Sequence, residues 1–375
     1  MLVVACLSAL FLVSEWSSPA IGAKQSVREL QPELLPRDAA TSEIVVVMAL
    51  DGVRWQEILK GVDPHFGKNV DRRRITSNAP EAVTPNLHAI AKRGGVLLGS
   101  DDARISASSP STVSLPGYSE IFSGRTPLCA SNDCGPTQHE TLLDEWHTAR
   151  PKARLAVVSS WSRIPYAAAK NTAPLDISAG RSLVTNKDAL CATPELCEEL
   201  ENGRRIAAWP GDGDYRPDHA TARVALAYLR ANKPHFAFIG LGDTDEHAHH
   251  GDYPSYLNAL HSADEVLGAV YQWLQEQERN GTRTLLIVTA DHGRSSGFSQ
   301  HTNCPEAARV WALIAGSGVT ARERPLTLGH RLADIAPTIR EFVGLARDTS
   351  ASAGSSLLDF PHAHSRLTDS AVAVH

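Results

Sequence analysis

Glu43-Ile-Val-Val-Val-Met-Ala-Leu50, closing on Asp51-Gly52, is the stretch on which the fold turns. It is apolar at successive positions rather than alternate ones, so a strand here must be covered on both faces. That is the situation of a parallel sheet lined by helices. Four more short apolar runs follow: Leu155-Ala-Val-Val158, His235-Phe-Ala-Phe-Ile-Gly-Leu241, Thr284-Leu-Leu-Ile-Val-Thr289 and Val310-Trp-Ala-Leu-Ile-Ala315. Helical patterns separate them, at about 220–232, 253–279 and 332–343. Thr84-Pro85-Asn86 opens another, with Pro in its first turn and Gly at its end. Strands alternating with helices predict an α/β fold: a mostly parallel sheet sandwiched by helices.

Composition narrows the class. The 375 residues are 42% hydrophobic and 21% charged, enough apolar material for a sizeable core. The formal net charge is −6, and no block of Lys or Arg marks a nucleic-acid-binding face. The N-terminal run from Leu2 to Val13 is too short to span a bilayer and is followed by small residues up to Gly22-Ala23. It resembles a signal peptide cleaved near Ala23, which predicts a periplasmic or secreted protein with no stable membrane span. Cys129 with Cys134 and Cys191 with Cys197 could each close a small loop in an oxidising compartment, leaving Cys304 over. The expected layout is a leader at 1–23, a lead-in at 24–42, one large domain at 43–347 with a loop-rich insertion at about 125–215, and a tail at 348–375.

The acidic residues fall in a telling place. Asp51, Asp245 and Asp291 each lie just past an apolar strand, and parallel α/β sheets bind ligands beyond the carboxyl ends of their strands. Three carboxylates in one pocket repel one another unless cations hold them together. His249 lies four residues after Asp245, and His292 directly follows Asp291. Carboxylate with imidazole suits zinc and related transition metals. A second feature is Ser114-Leu-Pro-Gly-Tyr-Ser-Glu-Ile-Phe-Ser-Gly124, read as a helix with Ser114 at its cap and Gly124 at its stop. A hydroxyl there faces the positive end of the helix dipole, where a phosphate is stabilised.

Taken in order, these motifs resemble the alkaline phosphatase superfamily. The resemblance spans roughly 43–346. Ala49-Leu50-Asp51-Gly52 matches its first strand-end Asp. Ser114 matches its Ser or Thr nucleophile, ten residues before Gly124. Asp245-Glu-His-Ala-His249-His-Gly251 matches its Asp-x-x-x-His-x-Gly, and Asp291-His292-Gly293 its Asp-His-Gly. His301 matches its distal His, and Asp334-Ile-Ala-Pro-Thr-Ile339 its late helix. The resemblance implies two divalent ions, zinc with manganese or iron as alternatives. Asp245, His249 and His301 would hold one; Asp51, Asp291 and His292 would hold the other, beside Ser114. It also implies hydrolysis of a small-molecule phosphate ester, mono- or diester, through a phospho-serine. A phosphoryl transferase or mutase on the same site, or an inactive binding protein, are the alternatives.

Some positions stay open at this level. Asp243 and His247 form a rival Asp-x-x-x-His frame, but Gly251 falls at the right offset only for Asp245 and His249. His330 competes with His301, and Thr112 with Ser114. The superfamily's nucleotide pyrophosphatases carry Asn three positions after the nucleophile, where this chain has Gly117. Its Lys-x-Arg phosphatases are matched only by Trp161-Ser-Arg163. Arg163 and Arg104 are candidate phosphate ligands, with surface ion pairing as the competing role. No Cys-x-Pro-Ser-Arg stretch of the formylglycine sulfatases is present.

Overall fold

In the computed structural model, residues 42–319, 329–350 and 352–358 are described; the leader, most of the lead-in and the end of the tail lie outside them. The strands are β1 Glu43–Leu50, β2 Val96–Leu98, β3 Ile105–Ser106, β4 Leu155–Ser159, β5 Asp176–Ala179, β6 Leu183–Val184, β7 Phe236–Leu241, β8 Arg283–Thr289, β9 Arg309–Val310, β10 Ala312–Gly316 and β11 His330–Arg331. They form an eight-stranded sheet, ordered β2-β10-β8-β1-β7-β4-β5-β6, and a three-stranded sheet, β11-β3-β9. β8, β1, β7, β4 and β5 run parallel, while β2, β10 and β6 complete the edges in antiparallel pairings. This is the expected α/β architecture.

The opening run explains the middle of the sheet. Every residue of β1 is buried, with parallel neighbours on both sides. Its register sets the site. Ala49 pairs with Thr289 of β8, and Leu50 pairs with Leu241 of β7. Asp51 and Asp291 therefore leave their strands at the same level, side by side. The chain beyond β7 turns at once into the helix Asp243–His249, which brings Asp245 to the same end. Long helices cover the sheet, among them Asp218–Asn232 and Tyr253–Arg279, both with a buried face of Leu, Val, Ala and Tyr.

The run at 310–315 differs from its sequence reading. It is not one strand. Val310 belongs to β9 in the small sheet, and Ala312 begins β10, which lies antiparallel to β8. The break falls at Trp311, whose fully buried ring donates its Nε1–H to the Val53 carbonyl at 3.2 Å. An apolar run looks the same whether or not the chain changes sheet within it, so hydropathy gave no sign of the break.

The helix Ser114–Ser123 is fastened from within by Glu120, which is fully buried. One carboxylate oxygen accepts from the Ser108 N–H at 2.7 Å and the other from the Ala333 N–H at 3.0 Å. This joins the segment before the helix to the start of the late helix, Ile335–Val343. Glu120→Ala would leave the buried Ala333 N–H and the half-buried Ser108 N–H unpaired and should cost about 1–3 kcal/mol. The check is a lowered urea midpoint at unchanged m-value; a shift below about 0.5 kcal/mol, the size of an ordinary surface substitution, would contradict this role.

Candidate metal centre

The structure brings Asp51, Asp245, Asp291, His249, His292, His301 and Ser114 together at the carboxyl end of β8, β1 and β7. Asp51, Asp291 and His292 offer ligand atoms all within 4.8 Å of one another, and so do Asp245, His292 and His301. His249 Nε2 joins the second group, at 3.0 Å from Asp245 Oδ2 and 3.1 Å from His301 Nε2. His292 stands between the two, with its ring stacked on that of His301 at a 4.0 Å centroid distance.

The imidazoles are aimed by their backs. His301 Nδ1 donates to the Thr112 carbonyl at 2.8 Å, and His292 Nδ1 donates to the Gly293 carbonyl at 2.8 Å. A carbonyl can only accept, so each ring carries its proton on Nδ1 and turns the Nε2 lone pair into the cluster. This is the arrangement in which protein groups fix histidine ligands of metals. Thr112 holds His301 twice, because its hydroxyl also donates to the His301 carbonyl, and its own backbone is left-handed at φ 46°.

The carboxylates are crowded. Burial, then the charges of Asp291 and Asp245, push Asp51 well above its ordinary pKa, although the Tyr118 hydroxyl donates to its Oδ2 at 2.9 Å. Burial and Asp245 push Asp291 up to about 7. Asp245 goes the other way. Burial opposes its ionisation, but the Arg294 guanidinium and the hydrogen bond to His249 hold it well below the usual range. Burial takes His292 down to about 4; burial and His292 do the same to His301. Asp291 is fully buried, and its Oδ1 accepts from the Gly52 N–H at 3.1 Å while its Oδ2 has no hydrogen-bond partner among the described residues. An orphaned buried carboxylate oxygen is costly in a folded protein, and beside two more carboxylates and the two inward lone pairs of His292 and His301 it is the place for a cation. The donor set fits divalent transition metals.

Ser114 is not the cap of its helix. Val113 occupies that position, and Ser114 is the first helical residue. Its hydroxyl is thereby released from capping and lies 3.4 Å from Asp51 Oδ1 and 3.3 Å from His292 Nε2. Gly117, one turn on, sits where a Cβ would meet the Asp291 carbonyl oxygen at 2.4 Å, so no side chain fits there. An asparagine reaches this helix end by another route. Asn132 lies in the loop closed by the Cys129–Cys134 disulfide, and its Oδ1 accepts from the Leu115 N–H at 2.8 Å. Cys191 and Cys197 are also disulfide-bonded, and Cys304 has no disulfide partner among the described residues.

The other candidates are placed elsewhere. Arg163 braces the disulfide loop, donating to the Cys134 carbonyl at 2.8 Å and lying over the Tyr166 ring. Arg104 is exposed and paired with Asp101. Asp243 accepts from the Tyr215 hydroxyl at 2.7 Å and the Asp218 N–H at 3.1 Å, and His247 lies near Trp209. Asp243 and His247 thus share the face of their helix turned from the cluster, two residues out of phase with Asp245 and His249. His330 lies in β11, 3.5 Å from Asp334. Sequence reading missed Tyr118, Asn132 and Arg294, of which Arg294 lies next to Asp-His-Gly, and it weighed Thr112 as a rival nucleophile, whereas Thr112 holds His301.

Comparisons with known proteins bear on the fold and the class. Residues 212–347 match the model of the Metalloenzyme superfamily. Among curated relatives, the 2,3-bisphosphoglycerate-independent phosphoglycerate mutase of Herpetosiphon aurantiacus is 28% identical over 181 residues, 42% of this chain and 32% of that enzyme. The same enzyme of Desulforudis audaxviator is 30% identical over 151 residues, 39% of this chain and 28% of that enzyme. The matched stretch thus spans about a third of these relatives. Among solved structures, the alkaline phosphatase PafA superposes with a TM-score of 0.51 at 12% identity, covering 84% of this chain and 98% of that one. The lipoteichoic acid synthase LtaP from Listeria monocytogenes gives 0.51 at 12%, covering 85% and 76%, and a 2-O GAG sulfatase gives 0.52 at 16%, covering 84% and 73%. Residues 212–347 are thus similar to the Metalloenzyme superfamily, and the fold is that of the alkaline phosphatase PafA and its structural neighbours.

The two interleaved frames make opposite demands. Asp245→Asn should lower the divalent metal retained by the purified protein, measured by elemental analysis, while Asp243→Asn should leave it at the wild-type level. The reverse result would assign the ligand to Asp243.

Proposed function

We propose that the chain hydrolyses phosphate esters through a phospho-serine on Ser114. In this reading one divalent ion is held by Asp245, His249 and His301 and a second by Asp51, Asp291 and His292. The observation that carries it is the Ser114 hydroxyl, uncommitted to capping and within 3.4 Å of both Asp51 and His292. Bound ions would supply positive charge that favours the serine alkoxide and stabilises the entering and leaving oxygens of an in-line displacement.

The residues do the rest. Ser114 Oγ, its proton passed to water, attacks phosphorus as the bond from phosphorus to the departing oxygen breaks, and the departing alcohol takes its proton from water. Water then cleaves the phospho-serine and restores the hydroxyl. Asn132, held by the Leu115 N–H, is placed to donate its amide to a phosphoryl oxygen, and Arg163 steadies the loop that carries it. The two closed cysteine pairs support export to an oxidising compartment. Similarity to mutases favours one second reading, in which the phosphoryl group passes from Ser114 to another alcohol.

The test uses p-nitrophenyl phosphate and bis-p-nitrophenyl phosphate, with and without chelator and with and without an added alcohol acceptor. Ser114→Ala should lower kcat by on the order of 10³-fold or more, and chelation should abolish turnover reversibly. Asn132→Ala should raise KM more than it lowers kcat. Phosphate recovered on the acceptor in preference to water would select the transferase reading; activity surviving both chelation and Ser114→Ala would remove the mechanism.

A further inference from the structure

Arg294 is a buried cation beside the clustered carboxylates that the proposed chemistry does not use. It is 2% exposed and follows Asp291-His292-Gly293. Two of its three guanidinium nitrogens are committed to backbone: Nε donates to the Phe298 carbonyl at 2.7 Å and Nη2 to the Ser299 carbonyl at 2.9 Å. That loop is itself pinned. Ser295 N–H donates to the Gln300 carbonyl at 2.7 Å, and the buried Phe298 ring packs between Tyr253 and Tyr256, each at a 5.0 Å centroid distance. The third nitrogen, Nη1, is left facing Asp245 Oδ1, to which it donates. The contact is therefore set by the loop rather than by a freely swinging side chain.

The pair also has no room to separate toward β1. A Cβ on Gly52 would lie 2.4 Å from Asp245 Oδ1 and 2.6 Å from Arg294 Nη1. With Oδ1 taken by the guanidinium, Asp245 offers its neighbours Oδ2, the oxygen that already faces His249. A charge count then separates the two groups of donors. Asp51 and Asp291 with His292 carry two negative charges. Asp245 with His249 and His301 carries one, and Arg294 cancels it.

Hard cations such as magnesium bind through charged oxygens and keep the rest of their water shell. Zinc and its neighbours accept neutral imidazole readily. Resting on the two-ion reading above, we propose that Arg294 is a positioning residue that makes the two cation sites unequal. The Asp245 group accepts imidazole-preferring ions such as zinc and rejects magnesium, while the Asp51 group accepts either.

The experiment is equilibrium dialysis of the metal-free full chain against Zn²⁺ and, separately, Mg²⁺, with bound metal measured by elemental analysis; no turnover is needed. The wild type should take up two equivalents of Zn²⁺ but one of Mg²⁺. Arg294→Gln should gain a second Mg²⁺ equivalent, with at least a tenfold gain in affinity at that site. His301→Ala leaves the Arg294 loop contacts in place, and should lose one Zn²⁺ while keeping its single Mg²⁺. Two equivalent Mg²⁺ sites in the wild type would overturn the proposal. So would a folded Arg294→Gln with unchanged Mg²⁺ binding, or loss of Mg²⁺ from His301→Ala. Fewer than two Zn²⁺ on the wild type would instead overturn the two-ion reading, and this proposal with it.

Discussion

Three carboxylates meet at one end of a parallel sheet, and the structure around them is arranged to make that tolerable. The sheet itself creates the problem. β1 pairs with β7 and β8 in a register that delivers Asp51 and Asp291 side by side, and the helix after β7 adds Asp245. Each is nearly or fully buried. Repulsion among close, desolvated charges must be met by hydrogen bonds, by cations or by protonation. Tyr118, the Gly52 N–H and Arg294 supply part of the answer from within the chain. Among the described residues one oxygen of Asp291 receives no hydrogen bond, and the Nε2 lone pairs of His292 and His301 turn into the same cluster. What the protein leaves unsatisfied is the shape of a divalent metal site.

That constraint reaches outward through the backbone. Thr112 takes a left-handed conformation and binds His301 through both its carbonyl and its hydroxyl. Gly117 is bare because the Asp291 carbonyl lies against it, so the Ser114 helix can approach β8 closely. Moving Ser114 from the cap position to the first helical turn frees its hydroxyl from the local bonding that capping serines perform. Packing of the helix end and reactivity of the serine are thus two consequences of one close approach.

Much of this was legible in the sequence because periodicity and position carried it. A short β-branched run without alternation reads as a strand covered on both faces, and an Asp just past such a run emerges at the strand's end. Asp51 and Asp291 follow from that alone. Choosing Asp245 over Asp243 needed the offset to Gly251, because both frames put Asp and His on one helix face; the structure turns Asp243 toward Tyr215 and Asp218. Residues whose roles depend on loop geometry left no pattern. Asn132 reaches the Ser114 helix from within the loop closed by the Cys129–Cys134 disulfide, and Tyr118 meets Asp51 across 67 positions. The run at 310–315 misled for a related reason, since hydropathy does not record a change of sheet at Trp311.

Phosphatases, a lipoteichoic acid synthase and sulfatases share this fold, so the architecture leaves the chemistry to the site. A crystal structure of the zinc-loaded protein, with data collected on both sides of the zinc absorption edge, tests the central claim most directly. The account predicts two anomalous peaks: one among Asp245, His249 and His301, the other among Asp51, Asp291 and His292, with Ser114 Oγ beside them. Anomalous density confined to Cys304 or the protein surface, with the seven residues unmetallated, would contradict it.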